Sequence, residues 1–263
     1  MSILKYSRII CKSYPDRILF LVLRFLSYQL KFHPKIAKLP PAIATVIYFT
    51  SKKLTTYLIR ICRLLFPNRY TDANPYKIIY VDPNEIQLTT GDPFSKRRGW
   101  VVNGNWDKEG QKFDDLLYPK AIRQHYVDGL SWEKTVLAKK YEGEALSRYC
   151  DKINSLYKNM RKNGYKSQSQ LLKQNPDIAW QGLNDAMHPL SNEITIDIGR
   201  NGELLWNICG QHRLAIARAL HIDRVPVMVF RRHAEWQAVR DNIRDIPKKT
   251  STNKHPDLDD LNK

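Results

Sequence analysis

The sequence predicts an α+β fold: a small mixed sheet carrying helices, with a helical region ahead of it and a helical insertion within it. Three observations predict it. Ile194, Ile196 and Ile198 alternate with Thr195 and Asp197 before a Gly199-Arg200-Asn201-Gly202 turn and a second apolar run from Leu204 to Ile208, the pattern of a β-hairpin. Gln211 to Leu220 is then built of good helix formers, and Val225 to Phe230 returns to a buried β-branched run. Ahead of these, apolar residues recur at helical spacing through Ile43, Ile47, Leu54, Leu58, Ile61 and Leu65.

Composition sets the limits. Of 263 residues 43% are hydrophobic, enough for one substantial core or two modest ones, so wholesale disorder is excluded. Lys and Arg number 43 against 26 Asp and Glu, a net charge of +17 that calls for an anionic partner: nucleic acid, acidic lipid or phosphate groups. The four cysteines, Cys11, Cys62, Cys150 and Cys209, form no Cys-x-x-Cys pair, which argues against a zinc site or a disulfide framework. A reducing, cytoplasmic setting is therefore expected.

The apolar run from Ile18 to Leu30 is broken by Arg24 and followed by Lys31, too short and too charged for a membrane span. Ala42-Ile43-Ala44 lies too far beyond it to be a signal-peptide cleavage site. Lys52, Lys53, Arg60 and Arg63 punctuate the helix after Pro41 and make it basic and amphipathic. Residues 17–65 thus offer an anionic membrane surface a peripheral anchor, the alternative being a helix packed on the protein's own core.

Pro67 to Pro75 reads as a turn-rich link, dividing a helical region, residues 1–70, from an α+β domain, residues 71–246. Lys77 to Val81 is a strand closed by Asp82-Pro83-Asn84, and residues 91–110, with Lys96, Arg97 and Arg98, read as a long irregular segment. Two helices are expected between Leu116 and Lys140, the second opened by Ser131 with Glu133 in its first turn, within an insertion near residues 100–147. A third runs from about Ser147 to Asn163 and ends at Gly164. Residues 173–191 read as an insertion or loop, His233 to Ile243 as a helix packed back on the sheet, and residues 247–263 as a disordered tail.

The chemistry concentrates where the second hairpin strand meets the Ala-rich helix. At Gly210-Gln211-His212-Arg213 the first helical turn presents unpaired N–H groups at the positive end of the helix dipole, an anion site. Gly210 permits close approach of the backbone, His212 can donate from its ring, and Arg213 offers a planar fork suited to phosphate oxygens. Read structurally instead, Gly210 turns the chain and Arg213 makes an ion pair.

The stretch Gly210-Gln211-His212-Arg213, its Ala-rich helix and Val225-Pro226-Val227 resembles the C-terminal signature of the ParB/sulfiredoxin superfamily. Ile79 to Ile86 resembles that superfamily's opening strand, and the helix ending at Arg161 to Tyr165 its central helix, so the resemblance spans about Tyr76 to Arg231. It implies a nucleotide or phosphate site, since members include CTP-binding partition proteins, ATP-using sulfiredoxins and a free-serine kinase. Gly210, His212 and Arg213 carry over. Gln211 stands where sulfiredoxin has its catalytic Cys and Cys209 is displaced from it, which disfavours that activity. Only about thirty residues follow Phe230, too few for a partition protein's DNA-reading module.

The expectation is a protein that binds a phosphorylated small molecule or nucleotide at Gly210, Gln211, His212 and Arg213, as a phosphotransferase or nucleotide hydrolase if it turns its ligand over. A nucleoside triphosphate would bring Mg²⁺, although no ligand cluster for a metal is visible in the sequence. Lys96, Arg97 and Arg98 would close over the phosphates, and Asp82, Glu85, Asp107 and Asp197 are unranked candidates for a general base. Two alternatives stand beside it. One is a non-catalytic nucleic-acid-binding protein using Trp100 and Trp106 as a stacking surface; the other is a membrane-peripheral interaction protein.

Overall fold

The computed structural model describes residues 40–91, 98–182, 188–245 and 254–261. The Ile18–Leu30 run, Lys96 and Arg97 lie outside them. Helix α1 spans Pro41–Leu65, with proline at its first position, where a missing N–H costs nothing. Strands β1 (Ile78–Val81), β2 (Leu88–Thr89) and β3 (Trp100–Val102) follow, then α2 (Leu117–Tyr126) and α3 (Gly143–Asn163). Two short helices, α4 (Gln168–Gln174) and α5 (Pro176–Gln181), lead to the hairpin β4 (Ile194–Ile198) and β5 (Leu204–Trp206). Helix α6 (Gln211–Ala219), β6 (Val225–His233) and α7 (Ala234–Asp245) complete the order.

The sheet is mixed, with strands in the order β1-β6-β4-β5-β2, and β3 continues the edge that β1 begins on the long β6. Antiparallel β1 pairs Ile78–Val81 with Val225–Met228, whereas parallel β3 pairs Trp100–Val102 with Arg231–His233. Central β4 lies parallel to β6 and antiparallel to β5. Its five residues are all buried, as a strand covered on both faces must be. The main core joins Ile194, Ile196 and Ile198 to Leu214 and Ile216 of α6 and to Ile122 and Ile153 of the intervening helices. This is the α+β architecture the sequence predicts.

Several elements differ from expectation. The irregular segment at 91–110 contains β3, held by β6 rather than by any pattern of its own. The second helix expected before Lys140 is two 3-10 turns, Trp132–Lys134 and Val136–Lys139. Ser131 makes no side-chain cap, while Thr135 accepts from the Leu137 N–H at 3.3 Å. Within the expected insertion or loop at 173–191, the described residues hold the end of α4, which a reciprocal Ser167/Gln170 capping box opens, all of α5 and a 3-10 turn at Pro189–Ser191.

Strand β6 runs three residues past Phe230, because Arg231, Arg232 and His233 are buried with partners. The Arg231 Nε donates to Asp197 at 2.7 Å and its guanidinium lies 4.0 Å from the Trp106 ring centroid, while His233 Nε2 meets the Gly104 carbonyl at 2.9 Å. Arg232 donates to Asp257 from Nε at 2.8 Å.

That last contact corrects the expected disordered tail over residues 254–261, the rest of 247–263 lying outside the described residues. Residues 254–261 fold back as a 3-10 turn, Pro256–Leu258, which places Asp257 and Leu258 in the interior. The link at residues 67–75 is likewise packed: Tyr70, Thr71 and Ala73 are buried, and Asp72 pairs with Arg240 of α7 at 3.1 Å. Helix α1 is tied to the body at both ends. Ala44 and Tyr48 pack with Trp180 and Leu190, and Ile59 and Cys62 with Tyr70 and Trp100.

Tyr48 stacks on His188 at 4.4 Å, and His188 Nδ1 accepts from the Leu190 N–H at 3.2 Å. Burial pushes the His188 imidazole down to about 4. A ring kept neutral in the folded chain, but protonated in the unfolded chain below about 6.5, gives stability that is complete above that pH and lost as pH falls toward 4. In urea unfolding, the loss between pH 7.5 and pH 5 is expected to be smaller by about 2 kcal/mol in His188→Phe than in the wild type. Equal losses would show that His188 is protonated in the folded chain.

Candidate functional site

Strand β4 shapes the turn that follows β5. The Thr195 hydroxyl, fully buried, accepts from the N–H groups of Ile208 at 3.2 Å and Cys209 at 2.9 Å, while its own N–H donates to the Cys209 carbonyl at 3.3 Å. The chain therefore reaches Gly210 pressed against β4. Gly210 adopts φ 81° and ψ 18°, the left-handed region. A Cβ there would stand 2.6 Å from Ile194 Cγ1 and 2.7 Å from Ile194 Cα, so glycine is required by conformation and by space alike.

Helix α6 begins at once. No side chain caps its N-terminus and no acidic residue stands in its first turn. Among the described residues, no side chain thus neutralises its leading N–H groups or the positive end of its dipole.

The structure brings Gly210, Gln211, His212 and Arg213 together on this turn, each of them partly exposed, and gives two of the side chains prior engagements. His212 Nε2 and the Tyr149 hydroxyl are 2.6 Å apart, and the imidazole packs against Tyr118 at 4.8 Å. Burial, aided by Arg213, pushes His212 down to about 4, so it is neutral at pH 7. Arg213 donates to the Tyr165 hydroxyl at 3.3 Å and to the Asn192 carbonyl, and lies 3.6 Å from Glu193 Oε2. The expected planar fork is therefore paired with a buried carboxylate, and its charge reaches the turn as a field more than as a free hand.

Glu193, Tyr149 and Tyr165 are the neighbours that sequence reasoning missed. Glu193 is buried at the entry to β4, where Oε1 accepts from the Gln168 N–H at 2.6 Å. Burial raises its carboxyl, with Arg213 and the Gln168 N–H pulling it back. Tyr149 sits in an aromatic cluster, stacked on Tyr118 at 5.3 Å and Tyr141 at 4.9 Å, with the Lys140 ammonium 3.1 Å from the Tyr118 hydroxyl.

Of the four base candidates, two are committed to arginines and two stand at the 3-10 turn Pro83–Glu85, which packs against α6. Asp82 accepts from the Asn84 N–H at 2.8 Å as a turn cap, and Glu85 is exposed in that turn. Asp107 binds Arg200 at 2.8 Å, which holds its carboxyl at about 2. Asp197 is wholly buried against Arg231 and Asn207. Of the basic loop, Lys96 and Arg97 lie outside the described residues, and Arg98 covers Tyr76 at 4.3 Å and Phe230 at 4.4 Å. Of the two tryptophans expected to stack on nucleic acid, Trp106 is 7% exposed, and Trp100 is partly exposed and packs on Tyr70.

Among the described residues no group of three or more His, Cys, Asp or Glu could hold a metal ion, and no helix is long and apolar enough to cross a membrane. Compared with protein-family models, curated proteins and solved structures, the chain matches none.

Proposed function

We propose that this chain binds a phosphorylated ligand, a nucleotide foremost, at the turn of Gly210, Gln211, His212 and Arg213. The observation that carries the reading is the N-terminus of α6: uncapped by side chains, free of acidic residues in its first turn, and presented by a left-handed glycine. Such a terminus offers backbone N–H donors and a positive dipole end to phosphate oxygens. The net charge of +17 favours the approach of an anion, and the resemblance to the ParB/sulfiredoxin superfamily points the same way.

Backbone donors do most of the holding in this reading. Arg213, paired with Glu193, adds positive potential, and neutral His212 acts as a hydrogen-bonding wall rather than a cation. Should the ligand be turned over, in phosphoryl transfer or hydrolysis, Glu193, paired with the turn's arginine at 3.6 Å, is the candidate among the described residues to accept a proton from the attacking hydroxyl or water. A triphosphate would bring its own Mg²⁺.

Arg213→Ala is a poor test, since it strands the Glu193 carboxylate in the interior. Gln211→Glu is better. A carboxylate in the first turn of α6 stabilises the helix by about 0.3–1 kcal/mol while repelling a bound phosphate. Thermal melts with CTP, ATP, ADP and GTP, each with Mg²⁺, should raise the wild-type melting temperature for at least one nucleotide. The variant should melt no lower than wild type yet lose that rise. A nucleotide-induced rise that survives in Gln211→Glu would place the site elsewhere.

A further inference from the structure

We propose that the outward face of α1 docks on an anionic phospholipid surface, a function separate from the ligand turn and independent of it. With 3.6 residues per turn, α1 has two opposed stripes. Ala44, Tyr48, Ile59 and Cys62 face the body and are buried. The opposite stripe is Ile43, Val46, Lys53, Tyr57, Arg60 and Leu64. Its apolar members are open to solvent: Val46 is 66% exposed, Tyr57 64% and Leu64 83%. Nothing on the described body reaches across to cover them, because the inner stripe already holds the helix in place.

Charge selects the occupant. Helix α1 carries Lys52, Lys53, Arg60 and Arg63 and no Asp or Glu, and no acidic residue occurs anywhere between Asp16 and Asp72. A shallow groove of about 350 Å³ on the helix is lined by Phe49, Lys52, Lys53, Thr56, Tyr57 and Arg60, which sets aromatic rings among cations. Aromatic and aliphatic side chains interleaved with Lys and Arg, in a helix too charged to cross a bilayer, fit the boundary between headgroups and acyl chains. A nucleic acid would use the cations but leave Val46 and Leu64 in water. An acidic protein would account for both sets of residues, and the test separates it.

The experiment is flotation of the full chain with vesicles of phosphatidylcholine alone or with phosphatidylglycerol, alongside two double variants, Lys53→Glu/Arg60→Glu and Val46→Asp/Leu64→Asp. Far-UV circular dichroism serves as the fold control. Wild type is expected to float with the anionic vesicles and not with phosphatidylcholine. Each variant should bind the anionic vesicles at least roughly tenfold more weakly with an unchanged spectrum. No flotation of the wild type would overturn the proposal and leave the face to a protein or nucleic acid. Flotation unchanged in both variants would overturn it equally, since another segment would then be carrying the membrane contact.

Discussion

Asp257→Ala is expected to lower the unfolding free energy by about 3–5 kcal/mol, the cost of stranding buried charge. The Asp257 carboxylate is fully buried and receives Arg232 through Nε at 2.8 Å and Nη2 at 2.5 Å, and the Trp236 indole N–H at 3.0 Å. Arg240 lies 3.4 Å away and Lys77 3.5 Å, each also donating to the Asp257 carbonyl. Burial alone would raise this carboxyl, but Arg232, Arg240 and Lys77 hold it well below the usual carboxylate range. Removing it leaves Arg232, with no exposed side-chain surface, lacking its main counter-charge.

Asp260, half exposed beside Lys77 and Arg240, is the control, and Asp260→Ala should cost less than about 1 kcal/mol. Adding Arg232→Met to Asp257→Ala should restore part of the loss by removing the orphaned charge. Urea unfolding of the four proteins measures all of this. A loss in Asp257→Ala no larger than in Asp260→Ala would mean that residues 254–261 do not dock in solution.

Gly210→Ala is the second large effect, expected at about 3 kcal/mol: a non-glycine residue in the left-handed region, and a methyl forced into a packed strand. Relief is available only if β4 moves, because one of the atoms in the way is the backbone Ile194 Cα. Moving β4 would disturb the Thr195 hydrogen bonds that set the same turn. The variant should therefore lose ligand-induced stabilisation as well as stability, whereas Gly129→Ala, with φ 75° and open space around it, should cost only about 1–2 kcal/mol. Equal costs at the two positions would show that Gly210 is not pressed on Ile194.

The hairpin was legible because Ile194, Ile196 and Ile198 repeat with the two-residue period of a strand and Asn201-Gly202 marks the tip. Helix α6 and the apolar part of β6 were legible for similar local reasons. What stayed hidden depends on partners distant in sequence. Arg231, Arg232 and His233 look like a charged strand end until Asp197, Asp257 and Gly104 are placed beside them. A tail rich in Lys, Asp and Asn looks disordered until Asp257 meets Arg232. Short β3 has no pattern of its own, only an edge of β6 to complete.

At the site, the four residues of the turn could be read from a strand, a glycine and a helix in succession. The engagements of His212 with Tyr149 and of Arg213 with Glu193 could not, since 63 and 20 positions separate the partners. In the proposed reading, these pairings leave anion recognition to the backbone more than to the side chains.

The most direct test of that account is calorimetric titration of the wild type and Gln211→Glu with the nucleotide that most raises the melting temperature, in the presence of Mg²⁺. The account predicts saturable binding by the wild type and at least roughly tenfold weaker binding by a variant that melts no lower. Equal affinity in the two proteins, or no nucleotide binding by the wild type, would contradict it.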